Sequence, residues 1–171
     1  MRSHGWAAAT AAVLLGVTAL EAGAQSCSGN PCTVQVTASA TVNDLLSLTL
    51  SSVTTNLGTP TAADFAAGFL DAAGPTATVS ANRAWHVDVV GNAAVFTYTG
   101  AGTNPNKPAS DLQWGTSAGA YPNDMSSSTQ LFSGAATNGS SQDVFFRTLW
   151  NFAASPAGTY DLVINFTLAA P

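Results

Sequence analysis

Gly158-Thr159-Tyr160-Asp161-Leu162-Val163-Ile164-Asn165-Phe166-Thr167-Leu168 decides the fold of this 171-residue chain. Tyr160, Leu162, Ile164, Phe166 and Leu168 alternate with Asp161, Asn165 and Thr167. A repeat of two residues is that of a β-strand, whose successive side chains point to opposite faces. One face is apolar and the other polar, so the strand belongs to an antiparallel sheet with one side packed and one side wet. Leu162, Ile164, Phe166 and Leu168 are therefore expected in the core.

Working outward, Asp143 to Phe152 is a second strand of the same kind, joined to the last by the turn Ser155-Pro156-Ala157-Gly158. Val95-Phe96-Tyr98, Trp85-Val87-Val89 and Ala77-Val79 are further strand signals, with Gly91-Asn92 as an expected two-residue hairpin turn. Asn104-Pro105-Asn106-Lys107-Pro108 is a loop stiffened by its prolines. The stretches Gly115 to Thr129 and Gly134 to Ser141 are rich in glycine, serine and asparagine and should be turns. Leu46, Leu48 and Leu50 alternate with Ser47 and Thr49. Thr61 to Asp71 is the one segment of helical composition, and Gly68 and Gly74-Pro75 hold it to a turn or so.

Thr33 to Val42 alternates most strictly of all. Val34, Val36, Ala38, Ala40 and Val42 fall on one face and Gln35, Thr37, Ser39 and Thr41 on the other, which predicts a long strand. Many strands with turn clusters between them make an all-β antiparallel sandwich, immunoglobulin-like or Greek-key in its connections.

Before this domain stands an export signal. Arg2 and His4 form a short basic start, Ala7 to Leu20 is small and apolar throughout, and Ala22-Gly23-Ala24 follows. That order predicts a signal peptide over residues 1–24, and the apolar run is shorter than a bilayer needs. No second run of spanning length follows, so the mature form is expected without a membrane span. Cys27 and Cys32 bracket Ser28-Gly29-Asn30-Pro31, and in an exported chain so close a pair predicts a local disulfide. The organisation expected is a signal peptide at 1–24, a disulfide-closed cap at 25–32 and one sandwich over 33–171. Localisation follows as secreted or cell-surface, or periplasmic in a two-membrane envelope.

Composition narrows function. Lys+Arg is 4 against Asp+Glu 9, and charged residues are 8% of the chain. Such a chain lacks the cations that nucleic-acid binding requires and the charge density of disorder. After residue 24 it has no glutamate and one histidine, His86. Triad, cofactor and metal chemistries thus have almost no raw material, and no catalytic, cofactor-binding or metal-ligating residue is expected. His86 and Asp88 share a strand face, which reads as a solvated pair. The sequons at Asn138 and Asn165 matter only in a eukaryotic secretory pathway.

Aromatics remain. Trp85, Phe96, Phe146, Trp150 and Phe166 lie at strand positions and are expected in the core. Tyr98, Trp114 and Tyr121 border polar loops and are the candidate ligand contacts, suited to stacking on a sugar.

Asn82-Arg83-Ala84-Trp85-His86-Val87, followed by Gly158 to Pro171 with its closing Leu168-Ala169-Ala170-Pro171, resembles the two signatures of WxL-type bacterial surface domains. Val87 stands where that family has leucine, and Phe166 where it has a second tryptophan. The resemblance implies a β-sandwich held at a bacterial cell surface. Two functions are then expected to compete. One is a structural or adhesive surface protein whose sheet edges or faces meet itself or other envelope proteins, with Thr33–Val42 folding into its own sandwich by default and β-strand addition to a neighbour as the alternative. The other is a module that binds cell-wall polysaccharide through the loop aromatics.

Overall fold

A computed structural model describes residues 26–171. The expected signal peptide lies outside them. Chain contacts set the residues up to Thr41 apart from a compact unit, Val42–Pro171.

In the first unit Cys27 and Cys32 are joined, with their Cα atoms 5.9 Å apart. The strand expected over Thr33–Val42 is absent: residues 33–45 carry no strand, and Val36 is 89% and Val42 77% exposed. Alternation fits a chain to a sheet surface, but a strand exists only where another strand takes up its main-chain hydrogen bonds. Among the described residues of its own unit this segment has no such neighbour.

The compact unit is an all-β antiparallel sandwich. Its elements are β1 (Leu46–Leu50), α1 (Ala62–Ala67), β2 (Phe69–Ala81), β3 (Trp85–Gly91), β4 (Thr97–Thr99), β5 (Leu112–Gly115), β6 (Asn123–Asp124), β7 (Thr129–Gly134), β8 (Thr137–Leu149), β9 (Thr159–Asp161) and β10 (Ile164–Ala169). One sheet has the order β1-β2-β8-β5-β6, a second β10-β3-β7, and a small third pairs β4 with β9. Every pairing is antiparallel. Among the described residues no helix is long and apolar enough to cross a membrane.

Strict alternation builds the core. Ala77, Val79 and Ala81 of β2, Trp85, Val87 and Val89 of β3, and Val144 and Phe146 of β8 are buried, with Phe96, Leu112, Trp114 and Met125 among them. At about 25 cal/mol per Å² of apolar surface, these side chains supply most of the driving force for folding. Trp85 Nε1 donates to Ala135 O at 2.8 Å, so the buried indole keeps a partner.

Several local expectations change. β2 runs straight through Gly74-Pro75, with a register shift between Ala73 and Thr76. Glycine is needed there because a Cβ at Gly74 would stand 2.5 Å from the Phe146 ring. Gly91-Asn92 does not close a hairpin: β3 pairs with β10 and β7, and Asn92 N donates to Val163 O. β8 begins at Thr137, inside the stretch expected as turn, because β2 offers it an edge. α1 is the short helix expected. Thr61 and Asp64 form its capping box, and Gly68 ends it at φ 85°.

The final run divides into β9 and β10 at Leu162-Val163, and its inward face is covered on one side only. Leu162, Ile164, Phe166 and Leu168 pack against the core but remain half-buried, where full burial was expected. The alternation is as expected; the cover is incomplete. β10 is the edge of its sheet, and β1, the edge of the other, leaves Leu48 and Leu50 half-buried in the same way.

Candidate functional site

Between these two edges lies a groove of about 660 Å³. Leu50, the segment Ser52–Pro60 and Pro75 form one wall, and Gly158–Ile164 with Phe166 the other. Phe96, Phe146, Thr148 and Trp150 are its floor. Register explains the position. β1 leaves its pairing with β2 at Leu50, opposite Ala77, and the chain wanders outward through Val53, which is 92% exposed. β10 enters its pairing with β3 at Ile164, opposite Gly91. Neither edge strand pairs across the gap.

Two polar groups on the floor are buried without a hydrogen-bond partner: Thr148 Oγ1 and Trp150 Nε1. Thr148 is only 1% exposed. Leaving such a group unpaired costs about 1–3 kcal/mol. The floor is otherwise rigid. Trp150 meets Tyr160 edge-on at 5.4 Å and Phe65 at 6.0 Å. Beneath it, Lys107 Nζ lies 4.7 Å from the indole centroid, 2.7 Å from Asp111 Oδ2, and donates to Leu149 O. Lys107 is thus a buried cation with its charge balanced and two of its three donors used.

The candidate contact aromatics do not converge. Trp114 is fully buried in the core, because β5 turns it inward beside Phe146, so it is not a loop-rim ring. Tyr98 packs on Tyr160 at 5.1 Å and donates to Ala157 O at 2.8 Å; Tyr160 donates to Pro156 O at 2.7 Å. Both rings thereby hold the 155–158 turn. Burial, with Tyr98 close by, raises the Tyr160 hydroxyl above the ordinary phenol range. The Arg147 guanidinium lies 4.5 Å from the Tyr121 ring centroid and 3.8 Å from that of Phe69. Asp71 receives two hydrogen bonds from Arg147, at 2.7 and 2.8 Å. That bidentate pairing holds the Asp71 carboxyl below the usual carboxylate range and raises Arg147.

His86 Nε2 and Asp88 Oδ2 are 3.7 Å apart on one half-exposed face of β3, as their spacing predicts. Ser133 and Gln130 of β7 lie opposite them on one side, Ala169 and Thr167 of β10 on the other. Among the described residues all three cations, Arg83, Lys107 and Arg147, are committed to Asp44, Asp111 and Asp71. An anionic ligand would have to break an ion pair to find one.

Thr148 and Trp150 were missed as site residues because alternation on β8 marks them as core, and only tertiary placement brings them into the groove lining. Leu57 gave the one local hint, an apolar side chain between Asn56 and Gly58 in a polar loop. Compared with models of known protein families and with curated protein sequences, the chain matches none.

Proposed function

We propose that this is an exported, non-enzymatic structural protein of the cell surface whose sandwich is completed by a β-strand from another polypeptide. The observation that carries the proposal is the groove between β1 and β10. β1 and β10 are unpaired on their outer edges, and half-buried Leu50 of β1 with Ile164 and Phe166 of β10 line the groove where the two strands end and begin. Added strands gain affinity from main-chain hydrogen bonds and specificity from alternate side chains, and such a site needs an open edge and an apolar floor. Natural sheets usually protect their edges with charge, proline or a covering segment. Here Asp161 is the one charged residue in the lining. The commitment of every described cation to an aspartate, and of Tyr98 and Tyr121 to local contacts, supports a building block over a ligand-stacking module. The WxL-like stretches at 82–87 and 158–171 support a place at the bacterial surface.

Light scattering across a concentration series, with negative-stain microscopy of the same samples, tests this. Assembly should grow with concentration. Ile164→Lys and Leu50→Lys, which put a charge on either wall, should stop it while the far-UV circular dichroism stays that of a β-protein. A wild-type protein that remains a single-chain particle at every concentration would contradict the proposal.

A further inference from the structure

We infer that the strand entering the groove is Thr33–Val42 of a second copy, and that copies join head to tail. The inference rests on the strand-addition reading above and adds the identity of the donor and the direction of growth.

The donor has the required chemistry. Val34, Val36, Ala38, Ala40 and Val42 share one face, and no residue from Thr33 to Val42 is charged. That suits a groove whose lining holds a single aspartate. Extended, the segment spans about 33 Å. The alanines at 38 and 40 would bring the donor main chain near the large rings of the floor.

The compact unit also fixes where the donor leaves. Asn82 Oδ1 accepts from Leu45 N at 2.9 Å, Asn82 Nδ2 donates to Asn43 O at 2.8 Å, and Arg83 pairs with Asp44. Residues 43–45 are therefore pinned to the β2–β3 turn. Leu46 is opposite Ala81, at that turn, whereas Leu50 is opposite Ala77 and leads to the groove. On the facing sheet Ala169 pairs with His86 near the turn, and Ile164 with Gly91 at the groove end. Exit point and groove thus lie toward opposite ends of one sandwich.

Folding the segment back along its own β1 would call for a tight reversal at Asn43-Asp44. The two-residue hairpin turn that does this needs left-handed backbone at both central positions. Among the described non-glycine residues only Asn106 has it. A neighbour's groove is the alternative, and an interface that joins unlike ends repeats from copy to copy, into a ring or an open filament.

Two variants mixed together give the test. Val34→Asp with Val36→Asp spoils the donor and lies outside the compact unit, so the sandwich should stay folded. Ile164→Lys spoils the acceptor, and Leu50→Lys serves in its place if that variant misfolds. By size-exclusion chromatography with light scattering, each variant alone should run at the mass of one chain. The mixture should give a particle of twice that mass and nothing longer. A donor variant that still assembles while the acceptor variants do not would overturn the donor assignment and leave strand addition standing. Assembly by both kinds of variant would remove strand addition as well. Single-chain variants that stay apart on mixing would contradict head-to-tail joining, as would a wild-type monomer. If neither acceptor variant folds, a Thr33–Val42 peptide titrated into the donor variant should change its tryptophan fluorescence saturably, and no change would overturn the inference.

Discussion

Single residues divide by how completely neighbours cover them. Phe146 and Phe166 are both inward aromatics on strands, yet Phe146 is 1% exposed and Phe166 only half-buried. Phe146→Ala should cost about 3–5 kcal/mol by urea denaturation, as full aromatic truncations in cores do. Phe166→Ala should cost the unassembled protein about 1–2 kcal/mol, since less area leaves the interior. Equal losses would mean that the face of β10 is already closed. Asp71 offers a pH test. Its carboxyl is held low by the hydrogen bonds of Arg147, so its stabilisation is complete above the unfolded-chain pKa of about 3.9 and disappears as pH falls through the lower folded-state value. The pair is partly exposed, which limits the gain to about 1 kcal/mol. Asp71→Asn should remove that much at neutral pH and flatten the acid limb of the stability curve; an unchanged acid limb would assign the limb to other carboxylates.

At the scale of elements, attachment matters more than pattern. Asn82 ties residues 43–45 to the β2–β3 turn through both ends of its amide. Asn82→Ala should lower stability by about 1–2 kcal/mol, the net value of two hydrogen bonds, and speed amide exchange at the start of β1. Much at this scale was legible in the sequence. Alternation located β10, β3 and the second half of β8, and Gly68 bounded α1. What was not legible depended on partners distant along the chain. Gly74-Pro75 looks like a strand breaker until Phe146 is seen lying against the glycine. Gly91-Asn92 looks like a hairpin until Val163 accepts the Asn92 amide. Thr33–Val42 has the clearest strand pattern in the chain and forms no strand, because periodicity specifies a face but not the edge that will receive it. The groove was illegible for the same reason. Its walls read as ordinary core positions, and their incomplete cover is a property of sheet order.

Across the whole molecule, two incomplete parts match. One is a sandwich with an unfilled groove of about 660 Å³ and two unpartnered polar groups in its floor. The other is an uncharged, alternating segment whose apolar side chains are exposed to water, Val36 by 89%. Joining would relieve both, by burying the donor valines and giving ladder bonds to the open edges. Amide hydrogen exchange measured on the dilute single-chain form and on the assembled form tests this most directly. Strand exchange predicts that residues 33–42, and those amides of 159–169 that do not bond to β3 or β4, both exchange fast when dilute and become protected together on assembly. Protection of both in the dilute monomer would mean that each chain fills its own groove, and an assembly in which residues 33–42 still exchange freely would contradict strand donation outright.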